Sequence, residues 1–334
     1  MIVARAPGKL VALGEYAVLD GAPAVVLALD RYAEIEVAES ADGACRLTTR
    51  SYEVVERTFR PGEPSGAGLV DLVTAAAPRL AWTATIDSQA FFAGRLKLGL
   101  GSSAAVLAAW AGAFAAFARG QGEPVPEPRV EALIELHRRF QGGQGSGLDV
   151  AASYTGGAIM FRLAGPDLPQ IGSVRLPNSV GFAGIFAGRS ASTAELVSRY
   201  RAWRKDRPQE ATQLLRRLTA QAERGCAALT GDDAAGWLEA FEAYGQGLGE
   251  LGRAIGADIV TAEHREIGVE ARRHGVAYKV SGAGGGDLGL ACAADRDALE
   301  AFSQSVGDRG FRVIKVSLAD HGLQVAQRGA GWQR

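Results

Sequence analysis

Cysteine is scarce and scattered in this chain: Cys45, Cys226 and Cys292 are the only three in 334 residues. An odd number at such separations excludes a disulfide-stapled miniprotein. The four histidines (His137, His264, His274 and His321) are equally dispersed, so no zinc-ligand spacing arises. An excess of charge of one sign is lacking too. Thirty-six basic residues stand against 37 acidic ones, a net charge of −1, so no global positive field would hold nucleic acid or an anionic membrane, and neither is expected as a partner. Long apolar runs are also missing. The least polar stretch, Ala104 to Ala118, is mostly alanine and shorter than the roughly 20 residues a membrane span needs. The opening MIVARAPGKL has none of the basic, apolar and cleavage segments of a secretory signal, so a reducing cytoplasm is the expected compartment.

Glycine is what the chain has in abundance. It supplies 44 of the 334 residues, close to twice the usual share of about 7%, and it clusters. Clustered glycines mark backbone brought close to a ligand or driven to positive φ. Lysine is rare, yet Lys9, Lys97 and Lys279 all sit beside glycine-rich segments.

Short β-rich runs punctuated by Gly, Pro or Asp predict strands over Ile2–Ala6, Lys9–Leu13, Ala24–Leu29, Tyr32–Ala38, Thr83–Asp87 and Gly94–Lys97, with a helix from Gly68 to Leu80. An Ala-rich helix should run from the Gly99–Ser103 segment to Arg119. A second should cover Arg129–Phe140, a third should open at Leu148, and a strand should follow over Ala158–Leu163. The Gly/Pro-rich stretch from Gly165 to Pro177 marks the expected boundary between domains at 1–170 and 171–334. Beyond it come a strand (Val180–Ala187), helices near 193–204, 209–228, 233–252 and 258–274, strands at Ala277–Val280 and Leu288–Ala293, a helix at 295–305, and strands at 311–316 and 322–326. Strands and helices that do not strictly alternate argue for an α+β fold, not a doubly wound parallel sheet.

Three glycine-rich segments carry the chemistry. Gly99-Leu100-Gly101-Ser102-Ser103-Ala104-Ala105 combines a flexible turn, two hydroxyls and a helix start, where unpaired N–H groups and the positive end of the helix dipole favour phosphate. It lacks the GxxxxGK[ST] run, and Ala104 stands where GxGxxG needs its third glycine. Taken alone, it is also compatible with a serine cap on a core helix. Gln144-Gly145-Ser146-Gly147-Leu148-Asp149 ends at another helix start, with a carboxylate in the first turn. Ser281-Gly282-Ala283-Gly284-Gly285-Gly286-Asp287 lies between two strands and holds more glycine than a plain hairpin requires.

Together with Ala6-Pro7-Gly8-Lys9 and Gly14-Glu15-Tyr16, the first and last of these segments resemble, in order and separation, the three motifs of the GHMP small-molecule kinases. The resemblance spans nearly the whole chain. It implies a ribosomal-protein-S5-like N-terminal domain, a ferredoxin-like C-terminal domain with added helices, and ATP with Mg²⁺ as donor. Lys97 before the glycine loop, Gly14-Glu15-Tyr16, Gly145 to Ala151, Gly188 to Thr193 and Asp287 after the glycine run are similar to the phosphomevalonate kinases within that family, which implies a small phosphorylated acceptor. A mevalonate kinase, another family kinase, a superfamily decarboxylase or an inactive ligand sensor are the alternatives. A homodimer is left open.

The resemblance also implies roles. Gly99, Leu100, Gly101, Ser102, Ser103 and Ala104 would wrap the ATP phosphates; Ser103 would ligate Mg²⁺, with Glu135 as a further candidate ligand. Lys97 would reach the β/γ-phosphates and Lys9 the transferring group, while Asp149 would orient Lys9 or accept a proton. Glu15, Tyr16, Ser146, Gly147, Ser192, Ser281, Gly282, Ala283 and Gly284 are the expected acceptor-binding residues. Arg138, Arg139, Arg201, Arg204 and Lys205, with Ser190, Ser192 and Thr193 before a helix, are candidates for the extra cations and donors that a second phosphate demands. An alcohol acceptor profits from a base at Asp149. A phosphomonoester, with its second pKa near 6, is already largely dianionic at pH 7 and does not need one.

Overall fold

The computed structural model describes residues 1–143, 145–165, 169–188 and 193–328. The chain divides into two compact units that are not consecutive segments. One holds Met1–Lys9, Ala28–Gly157 and the residues from Leu318 on; the other holds Leu10–Leu27 and Ala158–Ser317. The units interleave along the sequence, with Leu10–Leu27 in the second and the residues from Leu318 on in the first.

The first unit takes the N-terminal part of β1 (Ile2–Leu13), most of β2 (Ala24–Glu39), β3 (Cys45–Arg50), β4 (Val54–Phe59), α1 (Gly68–Thr74), β5 (Trp82–Asp87), β6 (Phe92–Ala93), β7 (Leu96–Lys97), α2 (Ser102–Gly120), α3 (Val130–Phe140) and α4 (Leu148–Thr155). β2 shows why it is a strand: Ala33, Ile35 and Val37 are buried while Glu34 and Glu36 are exposed, the period of two that puts alternate side chains on opposite faces. It pairs antiparallel with β5 from Glu34↔Asp87 to Glu39↔Trp82, and β5 runs parallel to β3. β3 turns back into β4, a hairpin that the sequence reading did not expect. Under this sheet lies α2, whose residues from Ala104 to Ala118 are nearly all buried. By length and composition α2 could cross a membrane, but 72% of its apolar stretch is buried in the protein, so it reads as a core helix. Small alanines let neighbouring helices approach it, and Trp82, Trp110 and Phe114 fill the remaining space with ring centroids 5.2 and 5.5 Å apart.

The second unit contains β8 (Ala158–Leu163), β9 (Pro169–Val174), β10 (Gly181–Phe186), α5 (Thr193–Asp206), α6 (Pro208–Thr230), α7 (Ala234–Ala254), α8 (Ala262–Arg273), β11 (Ala277–Val280), β12 (Leu288–Ala293), α9 (Arg296–Asp308) and β13 (Arg312–Lys315). The final strand, β14 (Gln324–Gln327), returns to the first unit and pairs antiparallel with β1 from Ile2↔Gln327 to Arg5↔Gln324. Within the second unit β11, β12, β10 and β13 form an antiparallel sheet in that order, the ferredoxin-like arrangement with its first crossover lengthened by helices α5 to α8. Ile185, Ile267, Ala271, Phe302 and Val306 pack where α8 and α9 cover the sheet. Within the stretch from Gly165 to Pro177, Pro169–Val174 forms β9 and pairs with β8 from Leu163↔Pro169 to Ala158↔Val174.

Candidate functional site

In the first unit, the loop before α2 is shaped by positive φ at Gly99 (72°) and Gly101 (78°), conformations that a side chain would strain. Gly101 immediately precedes the helix, so Ser102 and Ser103 occupy the first turn, where N–H groups have no intrahelical acceptor. The loop is fastened to β1 by the Lys9 amide, which donates to the Leu100 carbonyl at 2.8 Å. Gly8 permits that approach, because a Cβ there would stand 2.7 Å from the Leu100 oxygen. The Lys9 side chain then runs along Gly101, with its Cγ 3.0 Å from where a Cβ would be. Lys9 and the serine loop, 90 residues apart in sequence, are therefore neighbours.

Ser103 meets a residue that sequence reasoning left out. Its Oγ lies 3.1 Å from His137 Nε2, and the opposite ring nitrogen, Nδ1, lies 3.8 Å from Asp149 Oδ2. His137 is only 1% exposed and sits in the last turn of α3, while Asp149 is in the first turn of α4. The residue types are those of a hydrolase triad, but 3.8 Å is beyond hydrogen-bond length, so the carboxylate acts on the ring through its charge and not through a hydrogen bond. Asp149 Oδ1 also accepts from the Val150 amide at 3.0 Å. Among the described residues Asp149 lies against His137 and makes no ion pair with Lys9.

The other expected residues of this unit divide. Gly147 has φ 89° and starts α4, and the Ser146 hydroxyl, buried, accepts from the Leu148 amide at 3.4 Å. Arg138 donates to the Gly145 and Ser146 carbonyls at 3.4 and 3.3 Å, so one of the candidate phosphate cations secures this loop. Lys97 is exposed at the end of β7, two residues before Gly99. Glu135 is exposed as well. It stands about 200° around α3 from His137, the residue that reaches Ser103, so the helix does not bring its carboxylate to the serine.

In the second unit the Ser281–Asp287 loop is built by positive φ at Gly282, Gly284, Gly285 and Gly286. At Gly284 a Cβ would stand 2.4 Å from the Ile259 carbonyl, so both space and φ demand glycine. Several of the residues expected to touch an acceptor hold this loop. Ser281 Oγ donates to the Val11 carbonyl at 2.9 Å and accepts from the Val11 amide at 3.0 Å. Tyr16, strained at φ 59°, donates from its hydroxyl to the Ala283 carbonyl at 2.6 Å. Glu15 is buried in an ion pair with Lys279, whose Nζ also donates to the Val280 carbonyl at 2.9 Å and lies 5.3 Å from the Phe241 ring centroid. Burial pushes the Glu15 carboxyl up and the Lys279 ammonium down, while each partner's charge opposes that trend in the other. The Tyr244 hydroxyl donates to the Glu15 carbonyl at 2.7 Å.

Of the remaining candidates, Arg204 pairs with Asp20, which also accepts from the Tyr200 hydroxyl. Arg139, Arg201 and Lys205 are on exposed helix faces, and Thr193 opens α5. Ser190 and Ser192 lie outside the described residues. No cluster of three or more His, Cys, Asp or Glu side chains able to cage a cation occurs among the described residues.

Residues 80–157, which include the serine loop, His137 and Asp149, match the model of the GHMP kinases N terminal domain. The chain is 32% identical to the phosphomevalonate kinase of Streptomyces sp. (strain CL190), over 87% of this chain and 89% of that one. It is 25% identical to the mevalonate kinase of Thermococcus onnurineus over 98% of both. Among solved structures, Streptococcus pneumoniae phosphomevalonate kinase, in complex with phosphomevalonate and AMPPNP, superposes with a TM-score of 0.79 at 19% identity, covering 96% of this chain and all of that one.

Proposed function

The chain belongs to the GHMP kinase family and is a phosphotransferase of the mevalonate pathway, and from that premise we propose that it transfers the γ-phosphoryl group of ATP to the phosphate of 5-phosphomevalonate. The observation that carries this reading is the extended identity to a phosphomevalonate kinase across most of both chains. Asp287 directly after the glycine run supports it.

Phosphoryl transfer depends on alignment and charge neutralisation more than on covalent help. On this reading the first turn of α2 and the loop from Gly99 donate backbone N–H groups to the ATP phosphates. Lys9, lying along Gly101, supplies positive charge to the transferring group, and Lys97 does so from β7. Mg²⁺ fits the residues present: the Ser103 hydroxyl, with a carboxylate close behind its imidazole partner, is the kind of sparse oxygen donor that Mg²⁺ uses when phosphates and waters complete its shell. Bound there, the ion would offset charge on the phosphate oxygens. Asp149 has no proton to remove from an acceptor already dianionic at pH 7, and its position against His137 suits an orienting role.

The balanced charge supports a small-molecule acceptor without nucleic acid or membrane partners. The three cysteines, free and buried, support a reducing cytoplasm. The test is a panel of acceptors (mevalonate, 5-phosphomevalonate, galactose and homoserine) assayed for ADP formation. Turnover of 5-phosphomevalonate at least about a hundredfold above the others is expected, equivalent to about 2.7 kcal/mol of transition-state discrimination. Efficient turnover of mevalonate with none of 5-phosphomevalonate would overturn the reading.

A further inference from the structure

His137 has no place in the roles assigned above, yet three helix ends converge on it: the first turn of α2 through Ser103, the first turn of α4 through Asp149, and the last turn of α3, its own. Its ring is locked. It is buried beside Leu133 and Ile134, and Phe140 lies nearly parallel to it at a centroid distance of 6.4 Å. A locked imidazole between a hydroxyl and a carboxylate has only two neutral arrangements, and they have opposite consequences for the hydroxyl.

With the proton on Nδ1, an N–H dipole faces the Asp149 carboxylate at 3.8 Å, which is too long for a hydrogen bond but attractive. With the proton on Nε2, the bare Nδ1 lone pair would face that negative charge instead. The carboxylate therefore selects the Nδ1–H form and leaves Nε2 as an acceptor, 3.1 Å from Ser103 Oγ. A serine hydroxyl has one proton and two lone pairs. Once the proton is committed to His137, only lone pairs face outward.

We propose that His137 is a positioning residue: held in its Nδ1–H form by Asp149, it accepts a hydrogen bond from the Ser103 hydroxyl and so fixes the serine as a ligand for a cation, not as a donor to phosphate. This rests on the reading of Ser103 as the hydroxyl that meets the metal–nucleotide. It also gives Asp149 a second task, exerted through the ring on a residue 46 positions earlier.

Two measurements test this on the full-length protein. Nitrogen-15 NMR of the ligand-free wild type at pH 8 should show His137 with Nδ1 protonated and Nε2 bare, and the reverse tautomer would overturn the proposal. The second measurement is the binding of a non-hydrolysable ATP analogue at increasing Mg²⁺. Ser103→Ala should raise the Mg²⁺ concentration for half-maximal binding by at least about tenfold. His137→Phe should raise it by a similar factor without weakening metal-free binding, because loss of a ligand's outer partner typically costs about 10–100-fold in metal affinity. His137→Gln, whose amide oxygen can accept the serine proton, should restore most of the loss, and thermal melting of both variants separates this from misfolding. If Ser103→Ala raises the Mg²⁺ requirement and both His137 variants leave it unchanged while folded, the positioning role is wrong and the reading of Ser103 stands. If Ser103→Ala itself leaves the requirement unchanged, that reading falls and the positioning role falls with it.

Discussion

Two glycine-rich loops of this chain look alike in sequence and are used differently. The loop before α2 needs positive φ at two glycines, and its first helical turn keeps N–H groups without intrahelical partners. The loop from Ser281 to Asp287 needs positive φ at four, and its surroundings spend their polar groups on holding it: Ser281 on Val11, Tyr16 on Ala283, and Glu15 on Lys279. Glycine content reports the backbone conformation. Which polar groups remain uncommitted reports the capacity to bind. The first loop should therefore fail in chemistry when altered, and the second should fail in folding.

The largest effect falls on the second loop. Glu15→Gln removes the charge that Lys279 is buried against and should destabilise the protein by about 3–5 kcal/mol, read by urea melts, with activity lost only as the protein unfolds. Glu15→Leu combined with Lys279→Met should recover much of that stability, since an apolar pair of similar volume leaves no buried charge. A Glu15→Gln protein that melts normally but binds acceptor poorly would instead return Glu15 to the acceptor site. Next comes Ser103→Ala in the first loop. Turnover should fall at least about a hundredfold, equivalent to about 2.7 kcal/mol, while the melting curve stays within about 1 kcal/mol of wild type. Near-normal turnover would remove Ser103 from the donor site.

Much of this architecture was legible in the chain. Ala158–Leu163, Ala277–Val280 and Leu288–Ala293 are strands at the boundaries read from sequence, because glycine, proline or aspartate punctuates each β-rich run. Pro7 and Gly8 read as a break, but β1 runs through them, and β2 likewise runs through Asp30 and Arg31. The β3–β4 hairpin escaped because β4 is mostly exposed and shows no apolar alternation. β9 escaped because Pro169 and Gly172 read as linker, although a strand that pairs on one side tolerates both. The glycine loops were legible as motifs because positive φ leaves a mark on sequence. His137 leaves none: beside Leu133 and Ile134 it reads as a core residue, and its contact to Ser103 spans 34 positions. Lys279 and Glu15 are 264 positions apart, and only folding reveals them as a pair.

A pH-dependent effect sets the acid limit of the second unit. His264 is buried, with Nδ1 2.7 Å from the Tyr278 hydroxyl and, among the described residues, no partner for Nε2, and burial lowers its pKa to about 4. The unfolded chain takes up this proton near pH 6.5 and the folded protein does not. Stability from neutral His264 is thus complete above about 6.5 and declines as pH falls toward 4. The loss should be on the order of 3 kcal/mol, measured as urea midpoints between pH 7 and 4. His264→Gln should flatten that limb, and an unchanged slope would assign it to other groups.

The smallest expected effect tests the first loop's chemistry most closely. Asp149 stands against His137, so Asp149→Asn keeps an oxygen that can face Nδ1–H but loses the charge that favours that form. A cost of about tenfold in turnover is expected, below that of Ser103→Ala, because the change acts through the imidazole and not on the transferring group. The acidic limb of the rate profile should persist in the variant near pH 6, where the acceptor phosphate takes up its second proton. If the acceptor were an alcohol, Asp149 would be the base that activates it. Asp149→Asn would then lose nearly all turnover, and the acidic limb would vanish with the carboxylate. A single variant, assayed across pH 5 to 8, therefore separates an acceptor that carries its own nucleophilic charge from one that must be given it.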